Sequence, residues 1–233
     1  MEKNKPIFYQ EQALEKNRPV RVSAYKDEII EHMKRCFPDR KETVFHENIS
    51  DLLQVDIHML EAPTMQDVHV IYTVGMSALP MALPVEQPQE LRFAEMILLL
   101  PAEWKLEAPI SENEKEDGSV WWPVTLLKYL ARFPHECQTW LGWGHIVSNS
   151  AAYLPYDETT GFCGTMIGAL QEEVSVFCAK DGTQLNLYVL IPLYKEEMQW
   201  KQEKGITSLL EKFSELIGYG MVIFPDRPNV CAK

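Results

Sequence analysis

From Leu91 to Leu100 the chain is apolar almost throughout, interrupted only by Arg92 and Glu95, and the run stops at Pro101. A strand with one wet face alternates apolar and polar residues, whereas a strand covered on both faces is apolar along its length. This segment therefore reads as a buried strand. Its strongest portion, Met96 to Leu100, is far shorter than the roughly 20 residues needed to cross a bilayer, so it belongs to a core.

The rest of the chain supplies partners for it. Leu53 to Met59 and Val68 to Val74 alternate, and the connector from Glu61 to Asp67 contains Pro63. This predicts an antiparallel hairpin with a longer loop. Pro80, Pro84 and Pro88 make Ala78 to Pro88 an irregular, extended connection. Trp140 to Val147, Glu173 to Phe177 and Leu185 to Ile191 read as further strands.

Ser23 reads as the N-cap of a helix over 24–36 with Ile29, Ile30, Met33 and Phe37 on its apolar side. Trp122 to Phe133 reads as a helix with Pro123 in its first turn and Pro134 ending it. Tyr194 to Glu203 is a third helix, interrupted by Gly205. Ile206, Leu209, Leu210, Phe213, Leu216 and Ile217 form a clear apolar stripe, with Gly218 as the residue after its end. Residues 1–20 are polar and read as a loosely ordered segment, and residues 111–119 as a charged surface loop. Strands and helices interleave irregularly with no repeat and no linker. The expectation is a single α+β domain over residues 21–233.

Charge narrows the function. Lys and Arg number 22 against 34 Asp and Glu, a formal net charge of −12. A sequence-independent nucleic-acid binder needs a basic footprint, and docking on anionic lipid needs one too. Neither nucleic acid nor membrane is expected as a partner. The polar amino terminus has no signal-peptide centre, and the five cysteines form no CxxC pair. Free thiols in a reducing cytoplasm are the expectation.

Motifs for chemistry are incomplete. Gly75-Met76-Ser77-Ala78-Leu79 follows a strand as a nucleophile-elbow serine would, but that turn needs glycine where Leu79 stands. His135-Glu136-Cys137 lacks the second histidine of a zincin, since Thr139 takes its place. His58 and His69 would make a metal site only if they faced each other across the hairpin beside Asp56. Gly161 to Gly168 is glycine-rich without a phosphate-loop lysine. Cys137 beside His135 or His145 is a further thiolate candidate. No cofactor or metal ion is expected. An enzymatic alternative, a hydrolase or metal-dependent enzyme, would use Ser77, Cys137 or His58 with His69.

The aromatic residues suggest recognition. Trp140-Leu141-Gly142-Trp143-Gly144-His145 sets two indoles around glycines that permit close backbone approach. Trp is common at binding hot spots and in cores alike. On the surface, this segment would be a sheet edge able to accept a peptide strand.

Several pieces, in order, resemble the suppressor of fused domain family in its short bacterial form. They are Tyr72-Thr73-Val74-Gly75-Met76-Ser77; Glu95 to Pro101 with Trp104; Trp122-Pro123 with Leu127 and Leu130-Ala131-Arg132; Gly144-His145; Leu190 to Tyr194 with Glu196-Glu197-Met198; and Gly205-Ile206 with Leu209-Leu210. The resemblance implies a mixed, mainly antiparallel sheet flanked by helices. It implies a non-enzymatic binder of other proteins. In animals the family member regulates Hedgehog signalling by clamping a Gli segment, partly as an added strand, between this domain and a second one. This sequence ends soon after the first, so a transcription-factor role is the lesser expectation. Short bacterial relatives are regarded as immunity proteins that neutralise toxins.

The resemblance places a peptide groove near Gly75, Met76 and Ser77 and the loop with Leu79 and Met81. Trp140, Trp143 and His145 form the second candidate surface. The expected partner is another protein, a basic toxin or a peptide segment, and the −12 charge would speed encounter with a basic one.

Overall fold

The computed structural model describes residues 20–47, 50, 52–106, 118–214, 216 and 221–232. The expected loose segment therefore lies outside the described residues apart from Val20, as does most of the charged loop 111–119, together with Ile217 and Gly218.

Among the described residues, eight strands form one sheet: β1 (Glu42–Phe45), β2 (Asp56–Leu60), β3 (Val68–Val74), β4 (Phe93–Pro101), β5 (Ile146–Ser148), β6 (Gly164–Gly168), β7 (Val176–Cys178) and β8 (Gln184–Leu193). Their order is β1-β2-β3-β4-β8-β6-β5, with β7 also paired to β8. Among the named strands of the described residues, the β4–β8 pair alone is parallel. The two long apolar strands are thus neighbours at the centre of the sheet, which is why neither alternates.

Helices cover both faces. On one, α2 (Gly118–Glu136) lays Trp121, Trp122, Leu126, Leu127 and Leu130 on Ile57, Ile71, Met96, Leu98 and Leu190. On the other, α1 (Lys26–Cys36), α4 (Lys195–Lys204) and α5 (Ile206–Ser214) set Ile29, Met33, Met198, Leu209 and Phe213 against Tyr72, Ile97, Val189 and Leu193. The result is a single α+β domain with an open, mainly antiparallel sheet, as expected.

Four local expectations change. Tyr25, not Ser23, is the residue before α1. The Ser23 hydroxyl accepts from the Tyr25 N–H and bonds to Ser77 instead, so it is drawn into the interior. The second helix is longer than its prolines suggest. It is already formed at Gly118, so Pro123 is not in its first turn, and Pro134 lies inside its last one. Pro134 forgoes one backbone bond, and His135 beyond it is buried with its own partner.

Trp140 to Val147 is not a continuous strand. Gly144 has φ +80° and its N–H donates to Ile167, while His145 closes a turn on Gly142. Only Ile146–Ser148 is strand, and it does lie at the sheet edge. Glu173 to Phe177 divides into a helical turn, α3 (Glu172–Ser175), and β7. Glu172 and Glu173 sit in that first turn, where negative charge favours helix.

Candidate functional site

The turn after β3 is built on a close approach. Gly75 has φ +146°, a conformation side chains avoid, and a Cβ there would run into the Gln54 carbonyl and Val55. Met76–Ala78 then forms one turn of 3-10 helix. Gly75, Met76 and Ser77 are all buried.

Beneath this turn lies the Glu95 side chain of β4, with no solvent exposure. Its Oε1 accepts from the N–H of Gly75 at 3.0 Å, the N–H of Ser77 at 3.0 Å and the Ser77 hydroxyl at 2.6 Å. Its Oε2 accepts from the Thr73 hydroxyl at 2.5 Å and the Met76 N–H at 3.2 Å. Burial pushes the carboxyl above its usual value, while the donated bonds pull the other way. Ser77 Oγ also shares a 2.7 Å bond with Ser23 Oγ.

Past the turn, the chain reaches the surface. Leu79 is half-buried, Pro80 and Ala82 are exposed, and Met81 is buried against the Leu141 N–H. Leu52, Leu79, Pro80, Ala82, Pro134, His135 and Gln138 line a shallow depression of about 210 Å³. Its far wall is the end of α2. His135 Nε2 donates to the Met76 carbonyl at 3.0 Å, which couples that wall to the turn. Burial pushes the His135 imidazole down to about 4, so it is neutral there at pH 7. Gln138 Nε2 donates to the His135 carbonyl.

The second candidate surface lies elsewhere, beside the junction of α4 and α5. Trp140 is half-buried with its ring 4.4 Å from His145, edge to face. A Cβ at Gly142 would strike the Trp140 ring, which is why glycine stands there. Trp143 is 56% exposed. Gly144 packs near Ile206, and burial, with Lys201 close by, keeps the His145 imidazole below its usual value.

The catalytic candidates are engaged otherwise. Ser77 is buried and hydrogen-bonded to a carboxylate and another hydroxyl, with no imidazole among those partners. Cys137 lies just past the end of α2, while His135, two residues earlier, is committed to Met76. The hairpin does not set His58 opposite His69. His58 pairs with Tyr72 and His69 with Leu100 of β4. His58 Nδ1 donates to Glu42, while His69 bonds to Ala62 and Ala102. Asp56 accepts from His46, Lys26 and the Glu47 N–H.

Sequence reasoning missed Glu95, Leu52, Ala82, Pro134, His135 and Gln138 as parts of this region. For Glu95 a signal existed, since it is the one charge inside an otherwise apolar strand. A charge at such a position survives only with dedicated partners.

A family model described as Suppressor of fused protein (SUFU) matches residues 51–228. Curated protein sequences contain no match. Among solved structures, a SUFU homologue from Neisseria gonorrhoeae superimposes with a TM-score of 0.61 at 15% identity, over 90% of this chain and 98% of that one. A chain of the Sufu–Fu complex gives 0.65 at 15% identity over 90% and 93%. Drosophila Suppressor of Fused gives 0.60 at 16% identity over 87% of this chain and 50% of its own. These likenesses show a shared fold, and with the family model spanning most of the length, the chain belongs to the suppressor of fused family.

Proposed function

We propose that this protein is a non-enzymatic protein-binding module whose binding face is the depression between the Leu79–Pro80 loop and the end of α2. The observation that carries the reading is the convergence of three separate chain segments on one mostly apolar concavity with Gln138 at its edge. Small apolar concavities with a few polar groups are where side chains of a partner dock. Family membership supports it, and one structure sharing this fold is a Sufu–Fu complex. The commitment of Ser77 to Glu95 weighs against a serine hydrolase at this point.

The most concrete form of the reading is immunity: the protein covers the active surface of a basic toxin inside the cytoplasm, and its −12 charge speeds the encounter. The test is calorimetric titration of the purified protein with the product of the neighbouring gene, first unaltered and then with Ala82→Arg or Gln138→Arg. Both positions are exposed, so neither change threatens the core. Binding that weakens at least tenfold in both variants supports the depression. Unchanged affinity in both removes it, and no binding by the unaltered protein removes this partner.

A second face is favoured by the exposure of Trp143. With half-buried Trp140 and His145 it would form a recognition patch beside the β5 edge.

A further inference from the structure

The depression's walls come from parts of the chain distant in sequence, yet all are tied to one buried group. Leu79 and Pro80 directly follow the Gly75–Ala78 turn, in which the N–H groups of Gly75, Met76 and Ser77 all point at Glu95. His135, on the opposite wall, holds the Met76 carbonyl from the same turn. Leu52, the third wall, accepts from the Arg21 N–H, and two residues later Ser23 bonds to Ser77, which bonds to Glu95. Each wall is therefore within a few bonds of one carboxylate.

We infer that Glu95 is the positioning residue of this face: it sets the Leu79–Pro80 loop, the His135 end of α2 and the Leu52 segment relative to one another. The inference rests on the binding reading given above for the identity of the face, though the geometry stands by itself. Its chemistry explains the residue type. All five groups around the carboxyl are donors, three amides and two hydroxyls, and only a carboxylate accepts from every one. A glutamine would turn an N–H₂ toward donors and leave amides unpaired in the interior, which is costly. A leucine would leave all three amides unpaired.

No cation pairs with Glu95 among the described ion pairs. Amides and hydroxyls alone offset the cost of burying it. Ladder bonding does not account for this arrangement, because the three amides belong to the turn beyond β3 and not to the sheet.

Amide hydrogen exchange read by NMR tests the inference without any partner. Glu95→Gln keeps one side-chain oxygen, so exchange at Met76, or at Gly75 and Ser77 where the amide turns the other way, should accelerate about 100-fold beyond any change at the amides of β8, the scale expected for losing hydrogen bonds to a buried charge. If protection at the turn falls only in step with β8, Glu95 is a stability residue and the inference is overturned.

Should Glu95→Gln fail to fold, Ser77→Ala removes one donor and keeps the carboxylate. It should speed exchange at the remaining turn amides by about tenfold, as loss of one such bond implies. No change there overturns the inference equally. Failure of the Ala82→Arg and Gln138→Arg titrations would remove the binding reading and leave these exchange results untouched, so the two can fail separately.

Discussion

Arg227 and Glu197 form a two-bond ion pair inside the protein. Nη1 donates to Oε1 at 2.7 Å and Nη2 to Oε2 at 2.6 Å. Glu197 is fully buried and Arg227 is 4% exposed. The guanidinium lies 5.1, 5.2 and 5.0 Å from the ring centres of Phe162, Tyr194 and Phe213. It also donates to the carbonyls of Pro192 and Pro228. Glu197 in turn accepts from the N–H groups of Tyr194 and Val230. The pair thus joins the end of β8, α4, α5 and the irregular carboxy-terminal segment.

Breaking it from one side leaves a buried charge without its partner. Arg227→Met should therefore cost about 3–5 kcal/mol, the range for such one-sided losses. Urea denaturation followed by circular dichroism measures it. The double variant Arg227→Met with Glu197→Leu should recover part of that loss, because the desolvated charge is gone as well. A double variant no more stable than the single one would mean that the hydrogen bonds to Tyr194 and Val230 matter more than the ion pair.

Gly75 offers a backbone prediction. Its φ of +146° is strained for any side chain, and its Cβ position is already filled by the Gln54 carbonyl. Gly75→Ala should lower stability by at least about 1–3 kcal/mol, the usual range for overpacking. Thermal unfolding reads this directly, and an unchanged midpoint would mean that the turn relaxes freely.

The parts of this fold that were legible rest on patterns within one segment. The unbroken apolar run before Pro101 announced a strand covered on both faces, and β4 lies mid-sheet beside β8. Val68 to Val74 alternated, and β3 pairs with β2 as a hairpin. The site was less legible because its bonds span the chain. Glu95 is satisfied by amides 18 to 20 residues earlier, and side-chain patterns carry no trace of a backbone donor. His135 looked like part of a failed metal motif, while its real partner is a carbonyl 59 residues away. Ser23 looked like a helix cap because capping is the commonest use of serine before a helix. Burial against Ser77 overrode it. Trp140 to His145 looked extended because its apolar residues do suit a strand, but two glycines bend it first.

Acid should weaken the protein in a defined window. His135, His58 and His32 all have imidazoles held below their usual value by burial. Such a group is neutral in the folded state and takes up a proton on unfolding once the pH is under its unfolded value near 6.5. Its stabilising effect is complete above that value and is lost as pH falls toward the folded one. For His135 the window runs from about 6.5 to about 4 and amounts to about 3 kcal/mol. Glu42 and Asp56, held below the usual carboxylate range by their hydrogen bonds despite burial, add a further loss at still lower pH. Urea midpoints should be flat from pH 8 to 7 and fall steadily from pH 6.5 to 4. His135→Gln keeps a donor for the Met76 carbonyl and cannot titrate, so its profile should be shallower. An identical slope would place the proton uptake on other groups.

The two candidate faces differ in what a single substitution should do. Trp143 is more than half exposed, so Trp143→Ser should change stability by less than about 0.5 kcal/mol, as surface substitutions do. Leu79 is half-buried on the rim of the depression, so Leu79→Ser should cost more, about 1–2 kcal/mol, from lost apolar burial. Both should keep cooperative unfolding, which makes their binding comparable. Titrated against one partner, the variant that weakens binding by 2 kcal/mol or more, the usual scale of a hot spot, identifies the face in use. The depression reading expects that loss in Leu79→Ser with Trp143→Ser near unaltered affinity. The opposite result would move the contact to the β5 edge, where Ile146–Ser148 is the last strand of the sheet and an extended partner segment would add the next one.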